Sequence, residues 1–136
     1  MRVEMVAAPL VDRDIEDGKT LVEQLDKDGF PVTAALWYYG AEREKWYLII
    51  ATRLVREAGP LEAYRRLSKS IEGVQKSRKS GFALDSLRVE LIKDKDELPR
   101  LLKRAVQTGP GIAGIRFAGN VINGVYIDDA YIYRVA

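Results

Sequence analysis

The sequence predicts an α+β fold, a mixed or mainly antiparallel sheet of about five strands packed with three helices, in the order α-β-β-α-β-α-β-β. Three observations carry this reading. Two runs rich in aromatic and β-branched residues, 32–39 and 46–52, flank a short polar connection, as in an antiparallel hairpin. Asn123-Gly124 sits between Val121-Ile122 and Val125-Tyr126-Ile127, the signature of a two-residue type I′ turn. Leu61, Tyr64, Leu67, Ile71 and Val74 recur at three- and four-residue steps, one inward face of a helix.

The first helix is expected over 18–28. Asp17 as N-cap keeps Gly18 in the first turn, Leu21, Val22 and Leu25 form the apolar stripe, and Gly29 ahead of Phe30-Pro31 stops the helix. The first two strands follow, 32–39 and 46–52, joined across 40–45. Both faces of this hairpin are apolar, which places it centrally or beneath a second covered face. Trp37, Tyr38, Tyr39, Trp46 and Tyr47 crowd it, more large rings than a core needs, leaving one or two for an exposed patch.

Pro60 suits the first turn of the second helix, and 75–81 reads as its frayed end or an exposed loop. Leu87, Val89 and Leu91 alternate with Arg88, Glu90 and Ile92, giving a third strand. Asp96 as N-cap places Pro99 at the third helical position, where no intrahelical N–H is required. Leu98, Leu101, Leu102, Ala105 and Val106 are the buried stripe of that helix, and Gly109-Pro110 ends it.

The Asn123-Gly124 turn sets a register in which Ile122 opposes Val125, Phe117 opposes Ala130 and Arg116 opposes Tyr131. Strict alternation then buries Ile115, Phe117, Val121, Tyr126, Ala130 and Ile132 together. The opposite face carries Arg116, Asn120, Asp129, Tyr131 and Tyr133, with Asp128 and Arg134 turned away from it. A domain spanning 1–136 is expected, with 1–13 as an irregular N-terminal arm.

Composition narrows the chemistry. The 136 residues include neither cysteine nor histidine. Disulfides, thiol nucleophiles, Cys/His zinc sites and histidine acid–base catalysis are therefore excluded. No metal site and no cofactor is expected. Asp128 and Asp129 point to opposite faces of a regular strand, and the run Asp12, Asp14, Glu16, Asp17 suits a solvated helix entry. Gly109 to Gly114 lacks the spacing of a dinucleotide loop. Asp85, Glu90 and Lys93 resemble a metal-dependent nuclease set, but Glu90 and Lys93 are one residue too far apart to share a strand face. No apolar run approaches a membrane span or a secretory signal core, so a cytoplasmic protein without a membrane partner is expected.

Charge is segregated although the net formal charge is only +2. Residues 53–80 hold eight basic against three acidic side chains, and residues 1–50 hold six against ten. The function expected is that of a small non-catalytic binding protein, acting through protein–protein contacts or self-association as a homodimer. The alternative is a nucleic-acid-binding protein using Arg65, Arg66, Lys69, Lys76, Arg78 and Lys79 against phosphates. A third reading is an enzyme with its site on the last hairpin. There Arg116, Asn120, Asp129, Tyr131 and Tyr133 supply an anion holder, an orienting amide, a base and hydroxyl donors.

Overall fold

A mixed sheet organises the chain, and a computed structural model describes residues 9–40, 42–77 and 81–136. In chain order the elements are α1 (Asp12–Lys27), β1 (Ala34–Gly40), β2 (Lys45–Ala51), α2 (Leu54–Glu57), α3 (Pro60–Ser77), β3 (Val89–Ile92), α4 (Glu97–Ala105), β4 (Ile115–Ile122) and β5 (Val125–Val135). The strands lie in the order β3-β2-β1-β5-β4. All neighbours are antiparallel except β2 and β3, which α3 joins as a parallel pair. The fold is the expected α+β arrangement, with the four-residue α2 added.

Both faces of the sheet are covered, which explains the two-sided apolar hairpin. On one face Ala35, Trp37, Leu48, Ile50, Val89 and Leu91 pack with Leu21, Val22 and Leu25 of α1 and Ala63, Leu67 and Ile71 of α3. On the other, Leu36, Ile49, Ile127, Ala130 and Ile132 pack with Leu101 and Leu102 of α4.

Helix α1 begins six residues before the expected start and takes in Asp12 and Arg13, assigned from the sequence to the N-terminal arm. Asp17 is inside the helix rather than at its cap, and its carboxylate accepts the N–H of Ala83 at 3.0 Å. Gly18 is therefore interior, and its missing side chain has a packing reason. A Cβ there would run into the hydroxyl of Tyr133 and the indole nitrogen of Trp37. The Trp37 N–H donates to the Asp14 carbonyl at 3.1 Å and to the Tyr133 hydroxyl at 3.0 Å, while Tyr133 donates to the Ile15 carbonyl at 2.6 Å. Two sheet side chains thus dock on helix backbone through a glycine gap.

Helix α3 buries Ala63, Leu67, Ser70, Ile71 and Val74, not the stripe expected at its start. Leu61 is exposed, and Tyr64 reaches out to receive the Leu91 N–H on its hydroxyl at 3.1 Å. The third strand is shorter than expected because Ser86–Arg88 form a 3-10 turn, leaving Leu87 exposed. The Val89 N–H closes that turn on the Ser86 carbonyl. Asp96 is the N-cap of α4 and Pro99 its third residue, as expected, but the Asp96 carboxylate accepts the Lys93 N–H at 3.0 Å and not a helix amide.

The C-terminal hairpin keeps its expected register from Ile115 opposite Ile132 to Ile122 opposite Val125. Its alternation does not hold. Gly119 has φ +61°, and Ile127 and Ala130, three residues apart, lie in the same core. The break turns Ile122 and Ile127 inward and leaves Val121 65% and Tyr126 58% exposed, reversing their expected burial. A second irregularity shifts β5 against β1 between Ala35 and Leu36. It brings Arg134 to the same side of the sheet as Tyr133, contrary to strict alternation. There Arg134 donates twice to Asp26 of α1, at 2.9 and 2.7 Å.

Candidate functional site

A groove of about 810 Å³ opens on the α4 side of the sheet. Its floor follows from strand pairing. Tyr38 of β1 lies opposite Tyr47 of β2, and Ile49 lies beside Glu90 of β3. Alternation then sends Tyr38, Tyr47, Ile49, Glu90 and Ile92 to one face, with Leu98 of α4 closing one end. Tyr126 and Asp128 of β5 line the opposite bank.

The rim is strongly acidic. Glu42, Glu90, Asp96, Glu97 and Asp128 contribute five carboxylates, and Arg43 is the sole cation among the described lining residues. Burial first, and the Asp128 charge second, push the Tyr38 hydroxyl above its ordinary range, so it stays a neutral donor. The positive end of α4 opens here, with the carboxylates of Asp96 and Glu97 at its first turn. The Arg43 guanidinium donates to both Glu90 oxygens, at 2.7 and 3.4 Å, and stands 4.8 Å over the centre of the Tyr47 ring. Hydrogen bonding to Glu90 is the first cause that raises the Arg43 pKa. An apolar, aromatic floor beneath a ring of carboxylates can seat a cation and its hydrocarbon stem.

The residues singled out on the last hairpin are divided by the fold. Arg116 and Asp129 share a face and form a forked ion pair, 2.7 and 2.5 Å, and the guanidinium lies 5.4 Å over Trp46. Asn120 lies beyond the Gly119 break, exposed, its amide donating to the Ala118 carbonyl at 2.8 Å. Tyr131 stacks edge-on to Tyr133 at 5.5 Å and lies so close to Gly114 that a side chain there would strike its hydroxyl. The Tyr133 hydroxyl is buried beneath α1, and that burial raises its pKa well above the usual phenol range. The fold therefore joins Arg116 to Asp129 and assigns Tyr133 to packing.

On the opposite side of the molecule Arg65, Arg66 and Lys69 border a shallow hollow together with Asp28 and Glu62. Arg65 is held by Glu62 through a forked pair at 2.7 and 2.5 Å, and Arg66 lies 5.9 Å over Phe30. Lys76 is in the last turn of α3, while Arg78 and Lys79 lie outside the described residues. Among the N-terminal acids, Asp14 pairs with Arg88 at 2.9 Å and Asp17 holds the Ala83 amide. No group of three His, Cys, Asp or Glu side chains able to hold a metal ion occurs among the described residues. No described helix is long and apolar enough to cross a membrane.

The groove was only partly visible in the sequence. Surplus aromatics on the first hairpin were the signal, and their pairing register separates Tyr38 and Tyr47 from Trp37, Tyr39 and Trp46. Glu90 and Asp128 drew notice only as metal-ligand candidates, and Arg43 carried no mark. Comparison with protein-family models, with curated proteins and with solved structures finds no match for this chain.

Proposed function

We propose that this chain is a binding protein, and that the groove between α4 and the sheet receives a cationic segment of a partner protein. The observation that carries the reading is the concentration of five carboxylates around a tyrosine-lined floor with a single guanidinium to answer them. Opposite potentials across an interface accelerate encounter and suppress wrong partners, so such a rim selects basic chains. A groove of about 810 Å³ falls in the range of ligand sites and takes several side chains of an extended peptide. Self-association is the form of this reading in which Arg66 and Lys69 of a second copy supply the cations. A cytoplasmic setting agrees with it.

Titration calorimetry with hexalysine, hexaarginine and hexaglutamate peptides at low and moderate salt tests the proposal. Both cationic peptides should bind with affinity that falls as salt rises, hexaglutamate should not bind, and Asp128→Asn with Glu97→Gln should weaken binding about tenfold. No binding of either cationic peptide at low salt, or binding indifferent to those two substitutions, overturns it. Light scattering across concentrations reads the self-associating form.

A further inference from the structure

The contact between Arg43 and the groove wall has the form of a ligand contact made within one chain. Arg43 lies in the β1–β2 turn, next to Glu44, whose φ is +53°. Its guanidinium reaches both oxygens of Glu90 and covers the face of Tyr47. Glu90 and Tyr47 are fixed on β3 and β2, whereas the arginine comes from a turn outside the sheet. The receptor is rigid and the occupant is tethered.

We infer that Glu90 and Tyr47 form a guanidinium subsite which Arg43 fills in the free protein, and that an arginine side chain of the partner displaces it. This rests on the proposed cation-binding role of the groove and names its ligand chemistry. The planar fork of a guanidinium matches the two Glu90 oxygens while its face lies on the Tyr47 ring. An ammonium offers a point charge and makes one of these contacts at a time. Displacement is within reach of a peptide because the resident pair is weakly held. The side chains of Arg43 and Glu90 are 52% and 34% exposed, and water and salt screen such pairs. The released Arg43 returns to solvent, still charged.

The decisive quantity is the ratio of hexaarginine to hexalysine affinity, because removing Arg43 also makes the rim more acidic and strengthens both. In Arg43→Ala, hexaarginine should gain about tenfold and hexalysine about twofold, so the ratio rises about fivefold. Adding Glu90→Gln to that variant should return the ratio to its wild-type value. In the wild-type protein, the Arg43 side-chain Nε–H resonance should shift on addition of hexaarginine. Circular dichroism confirms that these surface variants fold. An unchanged ratio in Arg43→Ala, with both peptides still bound, overturns the subsite and leaves the groove reading standing. Failure of both peptides to bind wild type and variant overturns the two together.

Discussion

Gly18→Ala sets two elementary effects against each other. Helix propensity alone favours alanine over an interior glycine by about 1 kcal/mol. The structure argues the other way, because a Cβ would stand 2.7 Å from the Trp37 indole nitrogen and closer still to the Tyr133 hydroxyl. Both rings are buried, 0% and 1% exposed, and anchored by hydrogen bonds to helix carbonyls. They have no solvent to retreat into. Overpacking of a rigid core costs roughly 1–3 kcal/mol, and an overlap this deep belongs at the upper end. The net expectation is a loss of about 2 kcal/mol, a drop of roughly 8 °C in Tm for a domain of this size. Urea denaturation of wild type, Gly18→Ala, Tyr133→Phe and the double variant measures it. Tyr133→Phe alone should cost about 1 kcal/mol. Removing the hydroxyl relieves part of the overlap, so the double variant should be about 1 kcal/mol more stable than the two single losses together imply. A Gly18→Ala protein more stable than wild type would refute the close-approach reasoning, since propensity would then be the whole effect.

Other expectations test separate parts of the fold. Asp26→Ala should cost about 2 kcal/mol, its carboxylate being 40% exposed and the 6% exposed Arg134 keeping the Gly111 and Val32 carbonyls, while Arg134→Met should cost less than about 1.5 kcal/mol, both read by urea denaturation. Val121→Thr should change stability by under about 0.5 kcal/mol and Ile127→Ala should remove about 3 kcal/mol; the reverse order in thermal melts would restore strict alternation to the last hairpin. Absorbance titration in alkali should find Tyr38 and Tyr133 ionising later than exposed tyrosines, and Tyr133→Phe should delete one late step. Their raised folded-state values give a stabilisation complete below about pH 10 and lost as pH climbs through those values, so the wild type should unfold in that alkaline window.

What the sequence made legible was what depends on local period and turn chemistry. The Asn123-Gly124 turn determined the C-terminal register through all paired positions, and the apolar runs located the sheet. Faces were less legible, because one positive φ at Gly119 inverts the sequence of inward and outward residues without altering which residues oppose each other. Gly18 shows the same limit from another direction. As a helix former it argues for a start, and only the long-range arrival of Trp37 and Tyr133 makes it an interior residue. Tyr38 and Tyr47 were visible as surplus aromatics, but apart from Glu42 in the turn between them their acidic surround comes from β3, β5 and the start of α4. No short window of sequence contains it.

The edge strand β3 has a consequence for how this protein can multiply contacts. Its backbone alternates between facing β2 and facing away, and the Ile92 carbonyl, which accepts the Thr52 N–H, fixes the phase. The two N–H groups that face away belong to Val89 and Leu91. The first is closed by Ser86 and the second by the Tyr64 hydroxyl. A strand arriving from another molecule finds no donor there. In the language of polymer chemistry the sheet has unequal ends: among the described residues β3 offers outward carbonyls but no free amide, so strand-to-strand joining is favoured at β4. Where the chain associates through its sheet, this asymmetry favours growth that stops at a pair, a closed dimer and not a fibre. Tyr64→Phe would raise that ceiling by freeing the Leu91 N–H.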